Sequence, residues 1–211
     1  MVNITKLTES YIAEHPSIKD ALKKGMVNYS KLTRQIAKDL NLDLKKNFDA
    51  ILIACRRYYR KVKDEAILEK KIRDLLQQSK VEMKNRIIAV VLEKNIYLDN
   101  LLNLEKEIKK KQEDLHIIEG ANAITIITTE EFLDEIKKLF KNRILRENKN
   151  LVKITIKSPK EIESTPGVIS YLYSLFGEHG INITETMSCW TDTIFIIKEE
   201  DTGKAMGILR F

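Results

Sequence analysis

Residues 164–183, STPGVISYLYSLFGEHGINI, contain the beginning and the end of a helix and the start of a strand. Only 7 of the 211 residues are glycine, and three of them lie in this stretch. Glycine is the usual residue where the backbone must turn sharply or leave a helix. The stretch therefore predicts a turn, an apolar-faced helix and a second turn that leads into a strand.

The Pro-Gly pair at the start of this helix has a physical role. We expect Ser164 or Thr165 to cap the helix and Pro166 to occupy its first position, where the missing proline N–H needs no partner. Gly167 lacks a Cβ, so a ligand or a neighbouring backbone can approach the amides at the helix start, and these amides favour a carboxylate. The alternative is a well-capped helix that binds nothing.

An ordered set of strands and helices occurs twice after residue 80. The first copy is predicted as strands at 87–92, 115–120 and 123–128 with helices at 96–111 and 130–142. The second is predicted as strands at 151–157, 181–190 and 192–200, a helix at 165–180 and a last helix near the end of the chain. Aligning AITII (123–127) with TIFII (193–197) gives an offset of 70 residues, which also relates Ile136 to Met206. The order βαββα in each copy predicts a two-layer sandwich of ferredoxin-like type.

The second copy resembles the ACT domain, a small-ligand sensor attached to aspartokinases and other proteins of amino-acid pathways. The resemblance covers residues 151–211 and is carried by STPGV (164–168), the helix after it, GINI (180–183), MSCW (187–190) and DTIFIIKEED (192–201). The first copy matches only in the order of its elements, and it has Lys94-Asn95-Ile96-Tyr97 where the family has Pro-Gly.

This resemblance implies a ligand and a place for it. In proteins with such domains an amino acid usually binds where two ACT domains pair, against the loop between the first strand and the first helix. The residues implied as ligand-binding are Thr165, Pro166, Gly167 and Val168 of the loop, with Asn182 and Ile183 at the start of the second strand. If either copy binds an amino-acid or related effector, we expect it to be the copy that contains Gly167.

The second copy ends before a fourth strand. In the first copy, Ile144-Leu145-Arg146-Glu147 can form a short fourth strand, whereas the sequence after the last predicted helix stops at Phe211. The edge beside strand 151–157 then lacks a partner, and such an edge invites pairing with another strand. We therefore predict side-by-side pairing between the two copies or between two chains, and hence an oligomer, most simply a homodimer.

Residues 1–80 are predicted to be helical throughout and to carry the excess positive charge. They hold 18 Lys and Arg against 10 Asp and Glu, whereas the whole chain has a net charge of +6. The expected organisation is a helical module (1–80), a first ACT-like domain (81–149) and a second ACT-like domain without a fourth strand (150–211), which makes an α+β protein. The charge asymmetry indicates an anionic partner for the helical module.

The fourth predicted helix of this module has an apolar face around Cys55 and a cationic face opposite to it. Residues 45–63 hold seven cations and one acid, Asp49. Short helices followed by a basic helix resemble a helix-turn-helix or winged-helix unit, although the connecting segment 42–46 contains no glycine. The candidate nucleic-acid contacts are Lys45, Lys46, Arg56, Arg57, Arg60, Lys61 and Lys63. The alternative is a solvated cationic face without a partner.

Other functional classes find no support in the sequence. Cys55 and Cys189 lack disulfide or metal-ligand spacing, and the three histidines lie in different modules. No phosphate-binding glycine loop and no nucleophile–base pair is present. No apolar run is long enough to span a membrane, and the N-terminus lacks the pattern of a signal peptide. We therefore expect a cytoplasmic, non-enzymatic protein without a metal or cofactor.

Two functional hypotheses follow from these patterns. In the first, the protein is a regulator whose ACT-like domains sense an amino acid or a related metabolite and whose helical module binds DNA. In the second, the protein is a regulatory subunit that binds no DNA and whose basic module docks on a metabolic enzyme.

Overall fold

The computed structural model describes residues 3–62 and 65–211. Its helices are α1 (Ile4–Glu14), α2 (Pro16–Lys23), α3 (Tyr29–Asp39), α4 (Leu44–Val62), α5 (Glu65–Gln77), α6 (Leu98–Lys110), α7 (Leu133–Phe140), α8 (Val168–Glu178) and α9 (Thr202–Ile208). Its strands are β1 (Lys80–Glu93), β2 (His116–Glu119), β3 (Ala123–Thr129), β4 (Ile144–Lys157), β5 (Ile183–Cys189) and β6 (Asp192–Lys198). The chain divides into two units, Met1–Arg73 (unit 1) and Asp74–Phe211 (unit 2). The predicted α+β class is confirmed, with helices in unit 1 and both strands and helices in unit 2.

Unit 1 is organised around α4, whose apolar face packs against the preceding helices. The buried core of the unit consists of Tyr11, Ile12, Leu22, Leu32, Ile36, Ala37, Ile51 and Cys55. Residues three or four apart in a helix meet on one face, which is why the helical spacing of apolar residues around Cys55 identified the buried side of α4.

The turn between α3 and α4 is tight although it contains no glycine. Asn41 adopts a left-handed conformation with φ 51°, and the Leu42 N–H donates to the Ala37 carbonyl at 2.8 Å. This bond pattern commonly ends helices, and asparagine is among the few residues other than glycine that adopt it readily. The Asp43 carboxylate then accepts from the Lys45 N–H at 3.0 Å and caps α4. The missing glycine is therefore no obstacle to a helix-turn-helix arrangement, which stays a prediction.

Unit 2 contains one six-stranded sheet in the order β2-β3-β1-β4-β6-β5. Adjacent strands are antiparallel throughout. The two central strands, β1 and β4, are each 14 residues long and serve both predicted copies. Copy 1 consists of β2-β3-β1 and the first half of β4, with α6 and α7; copy 2 consists of β5-β6, the second half of β4 and the first half of β1, with α8 and α9. Two ferredoxin-like sandwiches are therefore fused through shared strands.

The edge beside strand 151–157 has a partner within the chain. Lys80–Lys84, the first half of β1, pair with Lys153–Lys157 and take the position of the missing fourth strand. Ala89–Leu92 pair with Ile144–Asn148, so the short fourth strand predicted for copy 1 is present. Of the two predicted kinds of pairing, the one between copies occurs, and this edge no longer argues for an oligomer.

The strand register corrects the predicted offset between the copies by one residue. β3 spans residues 123–129 and β6 spans 192–198, which is an offset of 69 rather than 70. Ile136 therefore corresponds to Ala205, which is fully buried like Ile136, and not to Met206. A slip of one residue moves every strand side chain to the opposite face. The sequence alignment missed it because β3 and β6 are apolar on both faces.

Helices cover one face of each copy. In copy 1, α6 and α7 pack on a face that includes Ile88 and Val90 of β1 and Ile126 of β3. In copy 2, the Phe176 ring of α8 lies 4.7 Å from the Phe195 ring of β6, centroid to centroid. These two layers are the ones predicted from the helical and extended periodicities.

The other faces of the two copies pack on each other without a helix between them. Their buried residues, which we call the shared cluster, are Ile87, Ala89 and Ile127 of copy 1 and Leu151, Ile194 and Ile196 of copy 2. The Thr125 hydroxyl of β3 donates to the Glu185 carboxylate of β5 at 3.4 Å, although three strands separate β3 from β5 in the sheet. The sheet therefore curls, and the two copies form a single core.

Candidate functional site

The cationic face of α4 is the candidate site of unit 1. Six of the seven predicted nucleic-acid contacts are exposed there: Lys45, Lys46, Arg56, Arg57, Arg60 and Lys61. The seventh, Lys63, lies outside the described residues. The buried residues of α4 are Ile51, Ala54, Cys55 and Val62. The structure therefore separates a buried face from a cationic face along this helix.

Two of the six cations form ion pairs at the surface. Lys46 lies 3.7 Å from the Asp43 carboxylate, and Lys61 lies 2.8 Å from the Glu9 carboxylate. Exposed pairs of this kind contribute about 0–1 kcal/mol. An anionic partner could displace them at little cost.

The three arginines of α4 form no ion pair with the residues that the structure describes. Within the described ranges, Arg57 and Arg60 have no carboxylate partner. The guanidinium of Arg56 lies 5.9 Å from the centroid of the Tyr29 ring, a cation–π contact that restrains its position. These planar guanidinium groups suit the oxygen atoms of phosphates.

The junction before α8, which holds four of the predicted ligand residues, is built differently from the prediction. Lys160–Ser164 form a 3-10 turn, and the Thr165 hydroxyl donates to the Glu161 carbonyl at 2.7 Å. Gly167 directly precedes α8 in a left-handed conformation, φ 88° and ψ −6°, and no side chain caps the helix. The predictions of a Ser164 or Thr165 cap and of Pro166 at the first helical position are therefore wrong. A residue with a Cβ is strained at this φ, which is why glycine occupies position 167.

Asn182 and Ile183 lie at the opposite end of α8, after the left-handed Gly180 (φ 67°) that ends the helix. α8 contains 11 residues, so about 16 Å of helix separate Thr165–Val168 from this end. The six predicted ligand residues therefore do not converge within one chain.

Asn182 and Ile183 line a surface cleft of about 740 Å³ in unit 2. The other lining residues are Val91, residues 146–151, residues 184–185 and residues 198–200. Small-molecule sites commonly have volumes of roughly 300–1,000 Å³. The cleft is thus large enough for a metabolite, and Thr165–Val168 are not among its lining residues.

The charges that line the cleft are only partly paired. Its carboxylates are Glu147, Glu185, Glu199 and Glu200, and its cations are Arg146, Lys149 and Lys198. Lys198 lies 3.1 Å from Glu200, and Lys149 lies 3.5 Å from Glu147. In the part of the chain that the structure describes, Glu185 and Glu199 have no cationic partner. Arg146 has no carboxylate partner there either, and its Nε donates to the Asn148 side chain at 2.9 Å.

A cluster of charged and titratable residues, of which only Lys153 is buried, lies on the helix-free face where copy 1 adjoins the second half of β4. Lys84 Nζ lies 2.6 Å from Glu113 and 3.3 Å from Asp114. Lys153, which is only 9% exposed, also donates to Asp114. His116 Nε2 is buried and has no hydrogen-bond partner among the described residues. We call these five residues the ion cluster.

In the ion cluster the pKa values of two members, Asp114 and His116, are lowered. The hydrogen bond from Lys153 is the main reason why the pKa of the Asp114 carboxyl lies below its ordinary value of 3.8. Burial, followed by the charge of Lys153, lowers the pKa of His116 below its ordinary value of 6.5. Both groups therefore bind fewer protons in the folded state than in the unfolded state.

We expect the free energy of unfolding of unit 2 to decrease in two steps as the pH falls. Below 6.5 the unfolded chain protonates His116 while the folded chain resists it, and below 3.8 the same holds for Asp114. Urea unfolding followed by circular dichroism from about pH 8 to about pH 3 measures both steps. His116→Leu should remove the first step and leave the second, and a first step of unchanged size in that variant would contradict the assignment.

Sequence reasoning missed Arg146, Glu185 and Glu199 as lining residues of a cleft. They lie on three different strands or turns, and nothing in their local sequence distinguishes them from surface residues. The correct offset of 69 between the copies would have been a usable signal, because it aligns Glu199 of copy 2 with Glu130 of copy 1. The predicted offset of 70 concealed this relation.

In the described parts of the chain, no set of three or more His, Cys, Asp or Glu side chains is arranged to hold a metal ion. None of the helices there combines the length and the apolar character that crossing a bilayer requires. Burial raises the pKa of the Cys55 thiol to about 11, so that Cys55 is not a reactive thiolate at neutral pH.

Comparison with known proteins identifies the fold of unit 2. Residues 146–210 match the family model of the ACT domain. The aspartate kinase of Clostridium acetobutylicum is similar in structure, with a TM-score of 0.51 and 13% identity over 62% of this chain and 33% of that chain. The aspartate kinase of Synechocystis is similar with a TM-score of 0.50 and 16% identity over 63% of this chain and 26% of that chain. No curated protein sequence matches the chain.

The family match confirms the predicted resemblance of the second copy to an ACT domain. The structural similarities cover more of the chain and show that unit 2 as a whole has the fold of the corresponding part of these kinases. The chain spans about a third or less of the length of these two kinases. At 13% and 16% identity the likeness establishes the fold alone. Function must therefore be argued from the surfaces of this chain.

Proposed function

We propose that this protein is a regulatory protein in which unit 2 senses a small metabolite, an amino acid or a related compound. The proposal is carried by the match of residues 146–210 to the ACT family model, together with the left-handed Gly167 at the start of α8. The uncapped amides at that helix start favour a carboxylate, and Gly167 leaves them accessible. Under this proposal the protein is cytoplasmic and is not an enzyme.

A homodimer would bring the two groups of predicted ligand residues together. β5 is an edge strand of the sheet, so it can pair with β5 of a second copy. Antiparallel pairing places the start of one β5, near Asn182 and Ile183, beside the end of the other. The end of β5 lies at the same end of copy 2 as Thr165–Val168, because Cys189 pairs with Asp192 and Asp192 with Lys157. A ligand held by both groups therefore requires two chains.

Ligand sensing is expected to appear as a rise in melting temperature with at least one of the common amino acids, because a ligand that binds only the folded state stabilises it. Gly167→Ala should weaken the response, since a residue with a Cβ is strained at φ 88° and the backbone at the helix start must shift. Gly177→Ala, with nothing within 4 Å of the added Cβ, is the matched control. No melting shift with any amino acid would contradict this part of the proposal, and light scattering separately tests the homodimer.

We further propose that the cationic face of α4 contacts the phosphates of duplex DNA. Arg57 and Arg60 support this part of the proposal, since they are exposed, on one face and without ion pairs in the described residues. Arginine-rich helices bind phosphates through charge-assisted hydrogen bonds, and such binding releases counterions.

Replacing Arg57 and Arg60 by Ala should weaken binding to any duplex and make it less dependent on salt. The slope of log K against log salt should become shallower by about 0.9 for each phosphate that the variant no longer neutralises. Fluorescence anisotropy with a labelled duplex, over a series of salt concentrations, measures both quantities. Lys109→Ala with Lys204→Ala in unit 2 removes the same charge elsewhere. Equally weakened binding in both double variants would mean that net charge, and not the face of α4, determines binding.

The competing function is a regulatory subunit whose basic face docks on an enzyme. Its support is the same cationic face, which an acidic protein surface would also complement. Nuclease treatment of material captured from a lysate separates the two functions, because only nucleic-acid partners are removed. If ligand and partner sites communicate, the coupling is expected at about 1–3 kcal/mol.

A further inference from the structure

The pseudo-symmetry of unit 2 allows the two copies to be compared position by position. β1 and β4 span residues 80–93 and 144–157, an offset of 64. The 3-10 turns after β3 and β6 begin at Glu130 and Glu199, an offset of 69. Arg86 of β1 corresponds to Asn150 of β4, and both are left-handed, with φ of 56° and 54°. The cleft of copy 2 therefore has a defined counterpart in copy 1.

In copy 1, carboxylates at the counterpart of the cleft are neutralised by cationic side chains of the same copy. Arg86 Nε lies 2.5 Å from the Glu130 carboxylate. Beside it, Lys84 pairs with Glu113 and Asp114 in the ion cluster. At the counterpart of the cleft, carboxylates are thus paired with cationic groups of the chain itself.

In copy 2 these cations are replaced by amides. Asn150 stands in the position of Arg86, and Asn148 stands in the position of Lys84. Glu199 keeps the acid of Glu130 but has no cationic partner in the described residues. The carboxylate is retained, whereas the cation that neutralised it is replaced.

Glu185 is a second carboxylate without a cation in this cleft. Glu185 pairs with Ile196 as His116 pairs with Ile127, so the acid occupies the position of His116. Its hydrogen bond from Thr125 is long, at 3.4 Å. Glu185 and Glu199 thus line one cleft as two carboxylates that no cation of the described chain balances.

We propose that this cleft binds a small organic amine, whose ammonium groups contact Glu185 and Glu199 where copy 1 uses its own cations. The side-chain amides of Asn148, Asn150 and Asn182, which also line the cleft, supply oxygen acceptors for further N–H groups. The proposal rests on the sensor role of unit 2 and adds a ligand class and a position away from Thr165–Val168. Arg146 is the unpaired cation of the cleft, and it would meet a carboxylate if the amine carries one.

The choice of an amine over an acid follows from the charge balance of the cleft. Its two ion pairs leave two carboxylates and one guanidinium unbalanced. Two ammonium groups can each contact one of these two carboxylates, whereas a dicarboxylate adds to the net excess of one negative charge. Charge-assisted N–H bonds to carboxylates are the stronger hydrogen bonds available there.

Cadaverine and glutarate, a diamine and a diacid on chains of equal length, are the probes for isothermal titration calorimetry with the full chain. We expect cadaverine to bind and glutarate to show no binding. The intermediate probe δ-aminovalerate, with one ammonium and one carboxylate, should bind because Arg146 accommodates its acid. No binding of cadaverine, or binding of glutarate as tight as that of cadaverine, would overturn the proposal.

Two variants of the cleft and one control make the test specific. Glu185→Gln removes one charge and should weaken cadaverine about tenfold. Asn150→Arg installs the cation that copy 1 has at this position and should abolish binding, since the new guanidinium can pair with Glu199 as Arg86 pairs with Glu130. Glu130→Gln, at the equivalent position of copy 1, should leave the affinity unchanged. Circular dichroism and urea unfolding confirm that each variant is folded.

The outcomes distinguish the cleft from the loop before α8. Cadaverine binding that is abolished in Asn150→Arg and retained in Gly167→Ala supports the cleft, whether or not any amino acid raises the melting temperature. An amino-acid response that depends on Gly167, without amine binding, supports the sensor role and overturns the cleft. Equal cadaverine affinity in wild type and both cleft variants also overturns it.

Discussion

A fragment of residues 144–211 is expected to be unfolded or aggregated, although it contains the whole segment that matches the ACT family model. The fragment lacks Lys80–Lys84, which supply the fourth strand beside Lys153–Lys157. It also exposes Leu151, Ile194 and Ile196 of the shared cluster, whose partners belong to copy 1. An open edge and an uncovered apolar face both promote aggregation.

Residues 74–211, by contrast, are expected to unfold in one cooperative transition. Far-ultraviolet circular dichroism and urea unfolding of the two fragments and of the full chain provide the comparison. A sigmoidal transition for residues 144–211 with the midpoint of the longer fragment would show that copy 2 folds by itself. The shared strands would then add nothing to its stability.

Ile127→Ala is expected to lower the free energy of unfolding of unit 2 by about 2–5 kcal/mol. Ile127 is fully buried in the shared cluster and belongs to copy 1, yet the cluster includes three residues of copy 2. Removal of its side chain leaves a cavity between the copies that the curled sheet cannot close. Since the two copies share one core, the stability of both should fall together.

The fluorescence of Trp190, the only tryptophan, reports on copy 2 and provides the measurement. In Ile127→Ala the urea transition of Trp190 should shift by as much as the transition seen by circular dichroism. Ile117→Ala, on the neighbouring strand but 40% exposed, is the matched control and should cost less than about 1 kcal/mol. A Trp190 transition that does not move in Ile127→Ala would mean that the copies unfold independently.

The sequence predicted parts of the candidate sites whose signals are local. The cationic face of α4 follows from helical periodicity alone, because residues three or four apart share one side wherever the helix packs. Gly167 was recognised as a special backbone position from the Pro-Gly pair itself, which is also a local signal. Its role differed from the prediction: it precedes α8 in a left-handed conformation, and Pro166 lies outside the helix. The cap was misassigned because Thr165 hydrogen-bonds backward to Glu161.

The cleft of copy 2 could not be predicted in this way. Arg146, Glu185 and Glu199 lie on β4, on β5 and after β6, and only the sheet brings these segments to one place. Their lack of ion-pair partners among the described residues is also a tertiary property, because the ion pairs of copy 1 show that similar residues can neutralise one another. An unpaired charge cannot be recognised before its neighbours are known.

The sequence by itself determined the class of the protein, the order of its elements, the repeat and the resemblance to an ACT domain. These properties depend on periodicity, on turn residues and on motifs within a few positions of each other. Only the tertiary structure decided that β1 and β4 each serve both copies, that the offset is 69, and that the helix-free faces form one core. The reason is physical, because register and strand sharing depend on which residues pair over long distances in the sequence. In addition, strands that are apolar on both faces lack the alternation of polar and apolar residues that would show which face lies against the helices.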